Sequence, residues 1–389
     1  MEYKAVLTSP IISGDVSLIV GEDGLVVNSV FDTVEINYAE ILSIAVIDYA
    51  VQIITYSGDF SFSRMGNWCE PFCKEVLDAY NKKVLKSLFI SGTPSITAKG
   101  DYSYTEDSLN NSGKAEFFLY ENCLCFLTPD TKARRIPLCF LTGMEVKDFE
   151  ITFLLDEQKY TIAKIGYDTE PVHNEVKTKI SALREKSINA LSEIDVNLTS
   201  MQLSSLAKIM PEGAAAKLSK LNEIAPTLVN SLEEKIDSGR AAETYKVFCE
   251  ICDKSQIYIG FKKNAISSEA EEDQDPYTLW FIVPSPDGKS CAVEFAGEVG
   301  TSAATFIYRF DTDFDSFARK LNIALEAIDF KREVIRLSDE ELMRPENADY
   351  LMAFQRNRSL QFVRSCFVGR VIHRSVDSWK NSILDYFGQ

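Results

Sequence analysis

The sequence predicts an α+β protein made of small modules in which antiparallel strands are followed by one helix. Three observations lead to this prediction. Residues 36–76 recur, without a gap, one hundred positions later at 136–176. Within each copy, short strands separated by turn residues give way to apolar residues at helical spacing. Helical spacing also dominates 188–243 and returns in the last part of the chain.

The repeat rests on identical residues at equivalent positions. A fixed period of this kind predicts two copies of one structural unit. The pattern Glu-Pro-x-x-x-Glu-Val falls at the same place in both copies. The identical residues are Ile36, Val46, Asp48, Gly66, Glu70, Pro71, Glu75 and Val76, with their counterparts Ile136, Val146, Asp148, Gly166, Glu170, Pro171, Glu175 and Val176.

The first copy is predicted to contain several short strands and one helix. Gly-Glu-Asp-Gly at 21–24 and Ser-Gly-Asp at 57–59 are typical of hairpin turns. Pro71 suits the first turn of a helix, where its missing N–H is not needed. The strands are predicted at 16–20, 25–31, 41–47, 51–56 and 60–63, and the apolar stripe of the helix at Phe72, Val76, Ala79 and Tyr80.

The second copy repeats this order. Gly66 and Gly166 fall at the corner between the last strand and the helix, where a residue without Cβ turns freely. Strands are predicted at 117–120, 124–128, 151–155 and 160–163, followed by a helix with Val172, Val176, Ile180 and Leu183 on its apolar stripe.

These residues resemble a known family. Arg-Ile-Pro-Leu at 135–138, followed by Leu141, Met144 and Val146, a hairpin and a helix, resembles the bacterial PH-like and GRAM-type pattern. The resemblance covers about residues 16–84 and 115–186. It implies a strongly bent antiparallel β-barrel that is capped by its C-terminal helix. It also implies a domain that binds lipids, peptides or proteins and is seldom an enzyme.

The rest of the chain is predicted to add three segments. Residues 188–243 form a helical hairpin or linker that ends at Ser238 and Gly239. Strands at 257–261, 278–283, 291–295 and 305–310, then an amphipathic helix, predict a divergent third PH-like module, with a mobile acidic loop at 269–275. The tail is mostly helical, and Asp377 is the expected N-cap of its last helix. The expected domains are 1–88, 89–187, 188–243, 244–332 and 333–389.

Composition bounds the class of protein. The chain has 389 residues, 46% hydrophobic and 25% charged, as in ordinary globular proteins. Its net charge of −17 disfavours binding to nucleic acids or anionic membranes through the whole surface. No apolar run is long enough to span a bilayer, and the start lacks the features of a signal peptide. Nine cysteines at scattered spacings favour a reducing cytoplasm.

Candidate catalytic and metal sites are few. His173 and His373 are the only histidines, and His173 aligns with Cys73, so a shared catalytic role is not predicted. Cys249-x-x-Cys252 has the spacing of zinc or redox sites but lacks a second pair and a βαβ setting. The sequence therefore predicts no catalytic residue, cofactor or metal.

Candidate binding residues are the basic clusters. Cations that bind lipid headgroups usually converge on the first hairpin, but acidic or neutral residues occupy it in both copies. Lys132, Arg134 and Arg135 form either a solvated loop or an anion site. Residues 350–374 carry arginines and no carboxylate: Arg356, Arg358, Arg364, Arg370 and Arg374.

The arginine-rich segment has three interpretations. It docks on the acidic modules of the same chain, it binds an acidic partner or nucleic acid, or it contacts a membrane. The leading prediction is a cytoplasmic, non-enzymatic binding or scaffolding protein that takes a peptide or protein partner at a sheet edge or in a sheet–helix groove. Nucleic acid is disfavoured as the partner. The alternative is a peripheral membrane adaptor that contacts anionic lipid through the basic C-terminal segment.

Overall fold

The computed structural model describes residues 1–106, 108–239, 241–263, 277–296 and 304–388. Within these residues the chain folds into three antiparallel sheets and a set of helices, which confirms the predicted α+β class. The chain divides into two compact units. Unit 1 comprises Met1–Ile136, Leu141–Glu175 and Leu337–Arg358, and unit 2 comprises Pro137–Phe140, Val176–Arg336 and Ser359–Gln389.

The first sheet of unit 1 belongs to the first copy of the repeat. Its strands are β1 (Glu2–Thr8), β2 (Gly14–Val20), β3 (Gly24–Asn28), β4 (Thr33–Asn37), β5 (Ile41–Ile47), β6 (Ala50–Thr55) and β7 (Gly58–Ser63). They lie in the order β4-β3-β2-β1-β7-β6-β5, so β1 joins two groups of hairpin-connected strands. Helix α1 (Cys69–Ser87) follows and buries Phe72, Val76 and Tyr80, as predicted.

The second sheet belongs to the second copy and has the same strand order. Its strands are β8 (Ile96–Glu106), β9 (Leu109–Leu119), β10 (Cys123–Leu127), β11 (Arg134–Pro137), β12 (Gly143–Lys147), β13 (Glu150–Leu155) and β14 (Gln158–Ala163). They lie in the order β11-β10-β9-β8-β14-β13-β12. Helix α2 (Thr169–Ile194) begins one hundred residues after α1.

The two copies also share unusual backbone conformations. At the corner before each helix, Gly66 and Gly166 have φ of 57° and 61°. Two residues earlier, Arg64 and Lys164 have φ of 59° and 58°, where L-residues are uncommon. The predicted glycine corner is therefore present in both copies.

Two helices from late in the sequence complete unit 1: α9 (Asp339–Leu342) and α10 (Ala348–Gln355). Lys83 on α1 is buried and lies 2.6 Å from Asp23 and 2.7 Å from Asp349. It therefore joins the turn between β2 and β3, α1 and α10. Burial alone would lower the pKa of Lys83, but its hydrogen bonds to Asp23 and Asp349 raise it above its ordinary value.

Unit 2 contains the third sheet and most of the helices. The strands are β15 (Ala215–Lys217), β16 (Tyr258–Lys263), β17 (Tyr277–Pro284), β18 (Ser290–Ala296), β19 (Ala304–Arg309) and β20 (Phe367–Ile372). The helices are α3 (Ser200–Ile209), α4 (Leu218–Ile224), α5 (Pro226–Asp237), α6 (Ala242–Ile251), α7 (Phe314–Ala327), α8 (Glu333–Arg336), α11 (Arg358–Cys366) and α12 (Val376–Phe387).

The third sheet has its strands side by side in chain order from β15 to β20, although helices lie between β15 and β16 and between β19 and β20 in the chain. This order differs from that of the two sheets in unit 1, and β15 and β20 lie outside 244–332. A core that includes Phe248, Phe281 and Trp379 packs between the sheet and helices α3–α6 and α12. Gly260 leaves room for the Trp280 ring, which a Cβ would approach to 2.3 Å.

Several local predictions differ from the structure. The strand predicted at 25–31 ends at Asn28, because the Ser29 hydroxyl accepts a hydrogen bond from the N–H of Asp32 and closes a turn. The last helix is capped by Ser375, whose Oγ accepts from Ser378 N, and not by Asp377. The predicted helical linker contains the short strand β15. The acidic stretch 269–275 lies outside the described residues.

Candidate functional site

The basic cluster of the second copy, Lys132, Arg134 and Arg135, mostly makes contacts within unit 1. The Arg134 guanidinium donates to both carboxylate oxygens of Glu106, at 3.0 and 3.2 Å from Nε. Tyr160 donates to the same carboxylate at 2.7 Å. Burial alone would lower the pKa of Arg134, but the charge of Glu106 raises it. Arg135 is buried, whereas Lys132 is half-buried and lies 3.6 Å from Asp130. The three side chains therefore do not converge on one open anion site.

The arginine-rich segment divides between the two units. In unit 1, Arg356 is 1% exposed and donates to the carbonyl of Met352 and to the hydroxyl of Tyr80, at 3.1 and 2.5 Å. Tyr80 in turn donates to the carbonyl of Asp130 at 3.0 Å. Burial raises the pKa of this hydroxyl, so Tyr80 stays neutral. Arg356 therefore links α10, α1 and the loop after β10, and Arg358 beside it is half-buried.

In unit 2, Arg364 makes hydrogen bonds within the unit, whereas Arg370 and Arg374 are exposed. Arg364 donates to the carbonyl of Val334, at 2.8 Å. Arg370 and Arg374 are exposed, and neither has an ion pair with any residue that the structure describes. Every second residue from 368 to 374 is exposed. We call this exposed set, Val368, Arg370, Ile372 and Arg374, the β20 stripe.

A second exposed feature occurs twice, at the hairpins β5–β6 and β12–β13. Each hairpin has a two-residue turn, Asp48-Tyr49 or Asp148-Phe149. The φ angles are 51° and 59° in the first turn and 53° and 63° in the second, as in a type I′ turn. Tyr49 is 89% exposed and Phe149 is 78% exposed. This turn favours glycine at its second position, yet both copies have an aromatic residue there.

Further apolar residues surround these turns. Val46 and Val146 are identical in the two copies and are 47% and 45% exposed. Cys69, at the start of α1, lies 3.5 Å from the carbonyl of Tyr49, which places the turn beside the exposed Trp68. We call residues 46–49 and 146–149 the hairpin tips. Their identical residues suggest a role in folding, but only the structure reveals that the valines are exposed.

The surroundings of the hairpin tips are acidic. Asp48 and Asp148 lie in the turns themselves, and both are exposed. Glu145 and Glu150 flank the second tip, with Lys147 as the one cation within 145–150. The tips therefore combine an exposed apolar surface with a negative rim, which favours a basic partner over an anionic one.

The sheet edges differ between the copies. The outer edge of β5 is covered, since Ile44 N–H donates to the carbonyl of Pro129 at 2.7 Å and Ser43 pairs with Asp130. Strand β12 is the equivalent edge in the second copy, and no strand among the described residues pairs with its outer side. An open edge of this kind presents unpaired backbone groups to a partner strand.

His373 belongs to a polar network in unit 2. Its Nε2 lies 3.2 Å from Glu294 and 3.1 Å from the hydroxyl of Thr305. Thr305 donates to Glu294 at 2.5 Å and accepts from Trp379 Nε1 at 2.8 Å. Because Thr305 is fully buried, a substrate would not reach its hydroxyl. The network joins β18, β19 and α12 and has a structural role.

The nine cysteines are all free thiols. Burial raises the pKa of Cys252 to about 12 and also raises that of Cys249. Neither sulfur is therefore a good nucleophile or metal ligand at neutral pH. Within the part of the chain that the structure describes, no group of three or more His, Cys, Asp or Glu side chains could hold a metal ion.

Two further findings bear on function. Among the described helices, none combines the length and the apolar character needed to cross a bilayer. The chain matches no protein family model and no curated protein sequence.

Proposed function

We propose that the chain is a non-enzymatic binding or scaffolding protein, and that unit 1 contains two PH-like modules. In this proposal each module is a bent antiparallel barrel capped by its C-terminal helix. The identical strand order of the two sheets and the helix after each of them support it. The sequence resemblance at 135–138 supports it as well.

One observation carries the proposal of binding, namely the aromatic residue that each copy exposes at its hairpin tip. A left-handed backbone costs an L-residue about 1–2 kcal/mol. Tyr49 and Phe149 have this conformation, and their rings gain little from burial within the fold. Burying such a ring against a partner yields about 1.5–3 kcal/mol. The free energy gained by burying the ring in a complex thus offsets the cost of the left-handed backbone.

The partner is expected to be a protein with apolar pockets and basic rims. Apolar pockets would take the rings of Tyr49 and Phe149. Basic rims would pair with Asp48 and Asp148, which lie in the tips, and with Glu145 beside the second tip. Because the two tips belong to one chain, a partner with two such pockets would gain affinity through avidity.

The test is capture of partners by the purified full-length chain from native lysate, followed by cross-linking and mass spectrometry. The tip variant is Tyr49→Ser with Phe149→Ser, which removes both rings. The matched control is Ile11→Ser with Leu109→Ser, which removes two other exposed apolar side chains of unit 1. We expect a set of proteins that the wild type and the control capture and the tip variant loses.

The single tip variants test avidity. If both tips contact one partner, each single variant weakens capture and the double variant abolishes it. Equal capture by the wild type and the double variant, with unchanged melting temperatures, would show that the tips are not the binding surface.

A further inference from the structure

We propose that the edge of the third sheet, at β20, binds an acidic extended segment of a partner protein by adding it as a further strand. This site lies in unit 2 and is independent of the hairpin tips. Three features of the structure lead to it: an edge strand, an alternating stripe of arginines and aliphatic residues, and a rigid inner face behind that stripe.

The first feature is the position of β20 in its sheet. It is the last strand of the third sheet and pairs with β19, where Phe306 lies opposite Arg370 and Ala304 opposite Ile372. Among the described residues no strand pairs with its other side. The backbone groups on that side are therefore available to a partner strand, as in other cases of strand addition.

The second feature is the β20 stripe. Arg370 and Arg374 alternate with Val368 and Ile372, and all four side chains are exposed. Neither guanidinium has an ion pair within the described residues, although Asp and Glu outnumber Lys and Arg by 58 to 41 in the chain. Residues on one face of neighbouring strands contact each other in pairs. A partner strand would therefore meet a cation and an aliphatic side chain by turns.

The third feature is the support behind the stripe. Val371 points into the core that also holds Trp379 and Ile383. Gly369 lies against α12, and a Cβ there would be 3.0 Å from the Tyr386 hydroxyl. His373, after the strand, is held by Glu294 and Thr305. A strand fixed in this way loses little conformational freedom when a partner binds, which favours affinity.

These features favour an acidic strand over an anionic membrane. A membrane surface cannot use the unpaired backbone groups of an edge strand, whereas an extended peptide can. The net charge of −17 also opposes adsorption of the whole chain to anionic lipid. The occupant is thus a segment with acidic and aliphatic residues alternating on one face, at a spacing of two residues.

The probe is a fluorescein-labelled twelve-residue peptide, three repeats of Glu-Thr-Val-Thr, which places Glu and Val by turns on one face. Binding to the full-length chain is followed by fluorescence anisotropy at low and at physiological salt. One control peptide has Lys in place of Glu. A second has Pro in place of the central Thr residues, which removes backbone donors and keeps the charge.

The protein variant is Arg370→Glu with Arg374→Glu. Its matched control is Lys208→Glu with Lys246→Glu, which makes the same charge change at two other exposed positions of unit 2. We expect the variant to weaken binding of the Glu-Val peptide at least tenfold and the control to weaken it less than threefold. The Lys peptide should not bind, and the Pro peptide should bind at least tenfold more weakly.

Several results would overturn the proposal. They are no binding of the Glu-Val peptide to the wild type, equal weakening in the variant and its control, or full affinity of the Pro peptide. Vesicles with 30% phosphatidylserine form a further arm. If the wild type binds them and the arginine variant does not, while no peptide binds, the β20 stripe is a membrane contact instead.

Discussion

Replacing the two aromatic residues at the hairpin tips with glycine should stabilise the protein. Tyr49 and Phe149 occupy the left-handed region, which costs an L-residue about 1–2 kcal/mol. Glycine removes this cost, but it destabilises the folded state by about 0.5–1 kcal/mol because it gives the unfolded chain more conformational entropy. The rings are mostly exposed, so their removal forfeits little burial. The expected gain is therefore about 0.5–1 kcal/mol for each turn.

The assays are thermal and urea unfolding of the wild type, of Tyr49→Gly with Phe149→Gly, and of the double serine variant. For a unit of this size, the double glycine variant should raise the melting temperature by about 2–8 °C. Serine keeps the left-handed strain and removes the ring, so its effect should be near zero. If the glycine variant is less stable than the wild type, the rings stabilise the fold, and exposed strain is not an argument for binding.

Three further predictions concern buried charges and thiols. Glu106→Gln should destabilise unit 1 by roughly 3 kcal/mol, because it leaves the largely buried guanidinium of Arg134 without its carboxylate. The exposed-pair control Glu116→Gln should cost under about 1 kcal/mol in the same urea assay. The hydrogen bond from Lys83 lowers the pKa of Asp23, so the stabilisation that this ion pair gives is lost as pH falls through the pKa of Asp23. The same interactions raise the pKa of Lys83, so the stabilisation from its charge is lost only as pH rises through the pKa of Lys83. The difference in stability between the wild type and Lys83→Met should therefore stay constant from about pH 5 to about pH 9, and a slope within that range would contradict the assignment. Cys252 should react with a thiol reagent at pH 8 at least tenfold more slowly than free cysteine, since its pKa is about 12; peptide mass spectrometry after labelling measures this, and a rate equal to that of free cysteine would contradict it.

Local patterns in the sequence predicted the elements with short-range signals. The helix stripe at Phe72, Val76 and Tyr80 and the corners at Gly66 and Gly166 depend on neighbours within a few residues, and the structure has them as predicted. The same patterns missed β1, β4, β8, β11, β12 and β20. In β8, polar residues and a glycine interrupt the alternation that marks a half-buried strand.

Features that depend on contacts between residues far apart in the chain could not be predicted from local sequence patterns. Strand β15 has three residues, and its partner β16 lies some forty residues further along the chain. Arg356 is buried against Tyr80, which is 276 positions away. No local pattern distinguishes Arg356 from the exposed Arg370, so the sequence analysis predicts one basic segment that contains both. The shared Val46 and Val146 were visible as identities, but identity does not reveal exposure.

The late position of α10 in the sequence has a consequence for biosynthesis. Unit 1 is discontinuous, and the ribosome must add roughly 160 residues after Glu175 before Leu337 emerges, which takes on the order of 10–30 s. During that interval Lys83 lacks Asp349, Tyr80 lacks Arg356, and the Ser87 hydroxyl lacks both of its acceptors on α10. A nascent chain thus carries an incomplete first unit while the second is being made, and a fragment that stops before 337 would preserve that immature state.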